Sequence, residues 1–206
     1  MKQVIRPALG ASALLLIAAS AAPAAPIKYA VDRNHSDVGF SVRHIFTKVQ
    51  GRFSDFQGTI VFDDKDASKI AVDASAVASS ITTQNERRDG HLKSPDFFDA
   101  EKYPALSFKS TKVTANGQNK YKIAGDLTMR GVTKPVVFDA EFFGAGPAGK
   151  GNKAGFAATA VVNRKDFGIN WNQALDNGGM VLSDDVTINL NIEANQVVEE
   201  ATNVQK

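Results

Sequence analysis

The sequence predicts an all-β protein: one antiparallel barrel of eight strands, with one short helix and one long loop. Three observations lead there. Apolar and polar residues alternate strictly along eight runs. Short turn signals separate several of them. Long strands with one apolar face must hide both that face and their edges, and closure into a barrel does both. A two-sheet sandwich is the alternative solution.

Taken in order, a short strand is expected at Ile27 to Val31, then one phased on Val38, Phe40 and Val42. Phe56-Gly58-Ile60-Phe62 and Ile70-Val72-Ala74-Ala76 follow, separated by the polar turn Asp63 to Asp66. The pattern then changes. Thr83 with Glu86 three residues on fits a capping box, so a helix is expected over about 83–94. Ile81, Asn85, Arg88 and Leu92 share its inner stripe, half of it polar, and Pro95 limits it. Strands resume around Leu106-Phe108, then Tyr121 to Leu127, with Asn116-Gly117 as a tight hairpin between them. Arg130-Gly131 leads into Val136 to Phe142. Gly144 to Gly151 reads as a break at a hairpin tip before Ala154 to Val162. About 166–184 forms the long loop and carries Trp171, the single tryptophan, before the last strand, Val186 to Ala194.

Residues 1–24 read as a secretory signal peptide, and 25–206 as one domain. Lys2 and Arg6 precede the apolar run Ala8 to Ala19, and Ala22 and Ala24 form the small-residue exit. The run is shorter than the ~20 residues a spanning helix needs. Cleavage after Ala24 takes both basic residues with it. It leaves 182 residues with 22 Lys and Arg against 22 Asp and Glu. A neutral chain without a basic cluster gives no footprint for nucleic acid. No later stretch is apolar enough to span a membrane. The absence of cysteine excludes disulfides, thiolate metal sites and thiol catalysis.

Phe40, Phe56, Phe62, Phe108, Phe138, Phe142 and Phe156 fall in the inward phase beside Gly58, Ala74, Gly125 and Ala158. Small residues leave room unless large ones oppose them, so the interior is either a solid core or an apolar tunnel. The candidate tunnel wall is this set of phenylalanines with Val42, Leu127 and Ala158, and Trp171 from the loop. At its mouth Asn85, Arg88, Asp89 and His91 are candidates to meet a head group. Arg88 either donates to a ligand oxygen or pairs with a carboxylate to hold the helix down. No catalytic motif, cofactor loop or metal-ligand spacing is present. In His35-Ser36-Asp37, consecutive strand residues would point to opposite faces and could not form a relay.

The ordered motifs resemble the YceI-like family. They are His35-Ser36, Phe40-Ser41-Val42-Arg43-His44, Gly51-Arg52-Phe53, Phe56-Gln57-Gly58, Arg88-Asp89-Gly90-His91-Leu92-Lys93-Ser94-Pro95-Asp96-Phe97-Phe98-Asp99, Tyr103-Pro104, Gly125 to Thr133, and Asn163-Arg164-Lys165-Asp166-Phe167-Gly168. The resemblance implies a lipocalin-like barrel and a tunnel holding a polyprenyl lipid, a quinone tail or a similar long-chain amphiphile. It also implies a periplasmic setting and a binding role rather than an enzymatic one, with no cofactor. A homodimer is left open. The alternatives are an enzyme using Arg88, Asp89 and His91 on a bound lipid, or an interaction module with a solid barrel.

Overall fold

The computed structural model describes residues 25–198 apart from 177. The expected signal peptide lies outside the described residues. Eleven strands form one antiparallel sheet: β1 Ile27–Val31, β2 Asp37–His44, β3 Thr47–Phe53, β4 Phe56–Phe62, β5 Ala71–Val77, β6 Ile81–Thr82, β7 Ala105–Ala115, β8 Lys120–Met129, β9 Val132–Ala148, β10 Gly151–Asn163 and β11 Leu182–Gln196. Eight close a ring in the order β1-β4-β5-β7-β8-β9-β10-β11 and back to β1. The eight-stranded antiparallel barrel is therefore formed.

The other three strands extend members of the ring. β1 pairs with the end of β11 (Val31 opposite Ala194), and β2 with its beginning (Asn191 opposite Asp37). Together they make one wall strand, broken by a 3-10 turn at Arg33–His35. β3 and β4 break likewise at Ser54-Asp55, and β5 and β6 at Ala78–Ser80. The breaks lie at one level: Ser54 N–H donates to Ser80 O (3.2 Å), Val77 N–H to Asp55 O (2.8 Å), and Arg33 pairs with Asp55. The wall thus bends as a unit, and each missing ladder bond finds a local substitute.

The turns follow backbone chemistry. Arg130 (φ 52°) and Gly131 (φ 72°) form a two-residue hairpin with both centres left-handed, closed by Met129 opposite Val132. The hairpin at Asn116-Gly117 forms, but over four residues, 116–119, rather than as a tight turn. The expected break at Gly144 to Gly151 does not form. The ladder runs on through Ala145↔Ala154 to Ala148↔Gly151, leaving only Gly149-Lys150 as the tip. A bulge at Gly155/Phe156, with Gly144 at φ 134°, absorbs the extra residue. A run of glycine and alanine carries no alternation from which that continuation could be read.

Helix α1, Glu86–Lys93, also begins later than expected. Asn85 is its N-cap, and its side chain accepts from Arg88 N–H at 3.0 Å. Thr83 is buried and bonded to Asp89 instead, with Gln84 left-handed between them (φ 60°).

The two ends of the barrel differ. At the end farther from α1, Tyr29, Ile60, Phe62, Ile70, Val113, Tyr121, Ala154 and Ala194 form a closed core. The Phe62 ring meets Phe142 at 4.3 Å, Phe156 at 5.4 Å and Tyr121 at 5.7 Å between centroids. At the other end lie α1, residues 94–104 and the loop before β11. In the wall between, the Phe108 ring lies over Gly125 and the Phe40 ring over Gly51, where any Cβ would collide with them. Gly125→Val is expected to displace the Phe108 ring and cost about 1–3 kcal/mol in urea unfolding.

Charges lock the seam where β1 meets β11. Asp32 accepts from Asn34 N–H (3.0 Å) and Lys153 Nζ (3.2 Å) and bonds His35 Nδ1 (3.0 Å), while Lys153 also pairs with Glu193. The His35 bond, then those from Asn34 and Lys153, hold the Asp32 carboxyl below its ordinary 3.8 against the opposing effect of burial. A depressed carboxyl stabilises the fold above its unfolded pKa, and that contribution is lost as pH falls through the folded one. The melting temperature should therefore decline below about pH 4. The decline should be shallower in Asp32→Asn; identical acid limbs would contradict the assignment.

Candidate ligand-binding site

A cavity of about 650 Å³ occupies the α1 half of the barrel. That lies within the ~300–1,000 Å³ of small-molecule sites. Among the expected wall residues, Phe40, Val42, Phe56, Phe108, Leu127, Phe138 and Trp171 line it. Phe62, Phe142 and Phe156 do not: they are consumed in the aromatic plug that closes the far end. Ala158 is not on the lining either; it sits partly buried against the neighbouring core, opposite Leu190 and Ala140. Ala74 does line the space, beside Val72, Ile60 and Gly58.

Among the described residues no carboxylate lines the cavity, and its ionisable side chains are His44, Arg87, Arg88, His91 and Arg164. All belong to the α1 end. Arg88 Nε donates to Thr83 Oγ1 (2.7 Å) and Nη2 to Thr83 O (3.0 Å). Among the described residues Nη1 has no hydrogen-bond partner. Arg88 thus both anchors the helix and faces the cavity. Asn85 lines the mouth while capping the helix.

Asp89 faces elsewhere. Its carboxylate accepts from Thr83 N–H (2.8 Å), Thr83 Oγ1 (2.5 Å) and Thr82 Oγ1 (3.1 Å). Burial alone would raise its pKa, but these bonds outweigh it and hold the carboxyl below its ordinary value. His91 Nε2 meets Asp96 Oδ2 at 2.8 Å, and its ring stands edge-on to Phe97 and Trp171 at 5.0 Å each. Arg88 and Asp89 therefore converge on Thr83, while His91 pairs with Asp96; the three are not bonded to one another.

Two arginines that periodicity does not single out organise the mouth. Arg164 is 3% exposed. It donates to Ile169 O (2.8 Å), Trp171 O (2.7 Å) and Ser183 O (2.9 Å), and pairs with Asp184 (3.4 Å). Burial pulls its pKa down, with Asp184 opposing. The long loop is thus wound around a guanidinium, which is why it shows no pattern of its own. Arg130 donates to Gly168 O and to Pro95 O (2.7 Å), tying that loop to the segment after α1. Their motif position was the only sequence signal for either role.

Among the described residues one group has metal-ligand proximity: Asp32, His35 and Glu193, with ligand atoms within 4.8 Å of one another. Glu193 lies far along the chain from Asp32 and His35, so the group shows no spacing motif. Lys153 Nζ already sits on both carboxylates and supplies the cation. Ser36, next to His35, bonds the Glu193 backbone instead (3.0 Å each way).

Arg164→Met should free three carbonyls from their partner and cost about 1–3 kcal/mol. It should also red-shift the emission of the single tryptophan, Trp171, as that ring leaves Phe97 and His91. An unshifted spectrum with full stability would refute the pinning role.

Comparison with known proteins agrees with this architecture. The YceI-like domain model matches residues 29–194. A UPF0312 protein of Photorhabdus laumondii subsp. laumondii is 42% identical over 156 residues, covering 74% of this chain and 80% of its own. The YceI protein of Campylobacter jejuni superposes with a TM-score of 0.65 at 35% identity, over 82% of this chain and 97% of that one. A polyisoprenoid binding domain from Saccharophagus degradans, implicated in plant cell wall breakdown, shares the fold at TM-score 0.58 and 13% identity. It covers 83% of this chain and 99% of that one. With the family model spanning nearly all of the barrel, and the barrel, helix and loop in the order its motifs imply, this chain belongs to the YceI-like domain family.

Proposed function

We propose that this protein is a non-enzymatic periplasmic carrier or store for a long-chain isoprenoid lipid, such as a polyprenyl lipid or a quinone tail. The observation that carries this reading is the cavity itself. Phenylalanines and aliphatic side chains dominate its wall, no carboxylate among the described residues faces it, and its arginines belong to the α1 end. Such a space favours a hydrocarbon tail inside, at roughly 0.8 kcal/mol per buried CH₂. A phosphate or carbonyl head would sit at Arg88, the fork donor with an uncommitted Nη1. The polyisoprenoid binding named for the structural relative from Saccharophagus degradans supports the tail chemistry. Arg88 and Asp89 are engaged with Thr83 and His91 with Asp96, which favours binding over conversion. The apolar run at Ala8 to Ala19 and the small-residue exit at Ala24 support export, and the neutral mature chain suits a neutral-tailed cargo.

Native mass spectrometry of the protein from its own cell envelope, with lipid extraction, tests this. The expected result is a chemically unaltered long-chain lipid bound to the chain. Ala74→Phe, which fills the cavity from its wall, should remove that mass while the β-sheet circular dichroism persists. An empty wild type, or undiminished lipid in Ala74→Phe, would overturn the reading. A processed lipid lost in His91→Ala would favour the enzyme instead.

A further inference from the structure

The rim of the cavity carries a feature that cargo binding does not use. Phe46 is 91% exposed, more than any other large apolar side chain among the described residues. It stands at the tip of the β2–β3 hairpin, between His44 and Thr47, which pair with each other. The hairpin holds it there at some cost. Ile45, the residue before it, has φ 53°, in the left-handed region that β-branched residues avoid and glycine usually fills. A hydrogen bond from Ile45 N–H to Val181 O (2.8 Å) fixes that conformation. It also brings the hairpin against the long loop, where Met180 is 61% exposed. Two exposed apolar side chains thus flank the residues that this bond joins, one on each turn. His44 and Leu182, which pair at the base of these turns, both line the cavity.

Charge surrounds this pair asymmetrically. Arg43 and Lys48 face each other across the hairpin, and neither pairs with a carboxylate among the described residues. Arg87 and Arg88 lie across the mouth. On the loop side Asp184 is neutralised by Arg164 and Lys165, leaving Asp176 and Asp185. We propose that this rim docks the barrel mouth-down on an anionic phospholipid bilayer. Phe46 and Met180 would enter the interface, and Arg43 and Lys48 would meet lipid phosphates. A second copy of the chain would not be expected to choose this site: the same cations would face one another across a two-fold axis. The proposal deepens the carrier reading and rests on it, because docking there would let a tail pass from bilayer to barrel without crossing water.

Flotation of the purified protein with vesicles tests it. Vesicles of equal parts phosphatidylglycerol and phosphatidylethanolamine should carry the protein up, and pure phosphatidylcholine should carry far less. Phe46→Ser should weaken the anionic binding about tenfold or more. A Lys48→Glu, Arg43→Glu pair should abolish most of it, and added salt should weaken the wild type. None of these residues lines the cavity. Phe46→Ser should therefore still take up lipid offered in detergent micelles, and Ala74→Phe should still float while carrying no lipid. That split separates failure of docking from failure of cargo binding. Equal flotation of wild type and Phe46→Ser, or no flotation of either, overturns the proposal. So does a wild-type dimer that Phe46→Ser dissociates, which would give this face to a second copy.

Discussion

Everything in this molecule depends on one strand, β11, pairing along its whole length. Its first residues hold β2, its last residues hold β1, and its other edge holds β10. A sheet with one apolar face leaves both a face and two edges exposed, and only closure removes all three. Here the closing strand must bridge a break in its partner at Arg33–His35. That is where the polar reinforcement is concentrated. Ser36 exchanges hydrogen bonds with the Glu193 backbone, Asp32 N–H reaches Glu193 O, and Lys153 neutralises Asp32 and Glu193 together. A charged cluster that looks like a metal site is thus better explained by its location. It stands where the ladder has a gap, and it replaces the missing bonds.

Closure alone does not leave a cavity; the placement of the rings does. At one end three phenylalanines pack edge-on or tilted against each other, Phe62 also meets Tyr121 edge-on, and the space is spent. Toward α1, the outer ring atoms of Phe40 and Phe108 occupy the space beside Gly51 and Gly125 of the wall. A ring that fills the space left by a missing Cβ takes less of the lumen, and both residues line the cavity. The same residue type therefore seals the barrel or lines it, and the choice is made by the neighbour across the strand pair.

That explains how much was legible in the sequence. Alternation exposed seven of the ring strands and β2, with β1 as a short addition, but neither β3 nor β6; Arg130-Gly131 and Asn116-Gly117 marked turns, and the shift of period after Ile81 exposed the helix. Phase placed Phe62, Phe142 and Phe156 inward, as they are, but could not say at what height along the barrel. Height depends on register, and register was unknown. Thr83 looked like a cap because the capping pattern is short. The structure uses that threonine to bind Asp89 and Arg88, and gives the cap to Asn85. Arg164 and Arg130 were invisible as organisers because their partners are backbone carbonyls, which no residue type marks.

The lid is built unlike the barrel it covers. α1 has no buried residue. It is fastened by Arg88 and Asp89 to Thr83 and Thr82, by His91 to Asp96, and by the edge contacts of Leu92 and Trp171. Lifting it would break polar contacts that water can replace, while the ladder and the aromatic plug stay intact. Gly90 lowers the helix further, and a Cβ there would meet nothing within 4 Å. The site would hold alanine without clash, so packing is no reason for a residue that makes the helix less stable. In a carrier whose cargo must pass this lid, a marginal helix over a rigid barrel separates the two demands. The wall would keep the fold, and opening the cover would cost a small fraction of unfolding it.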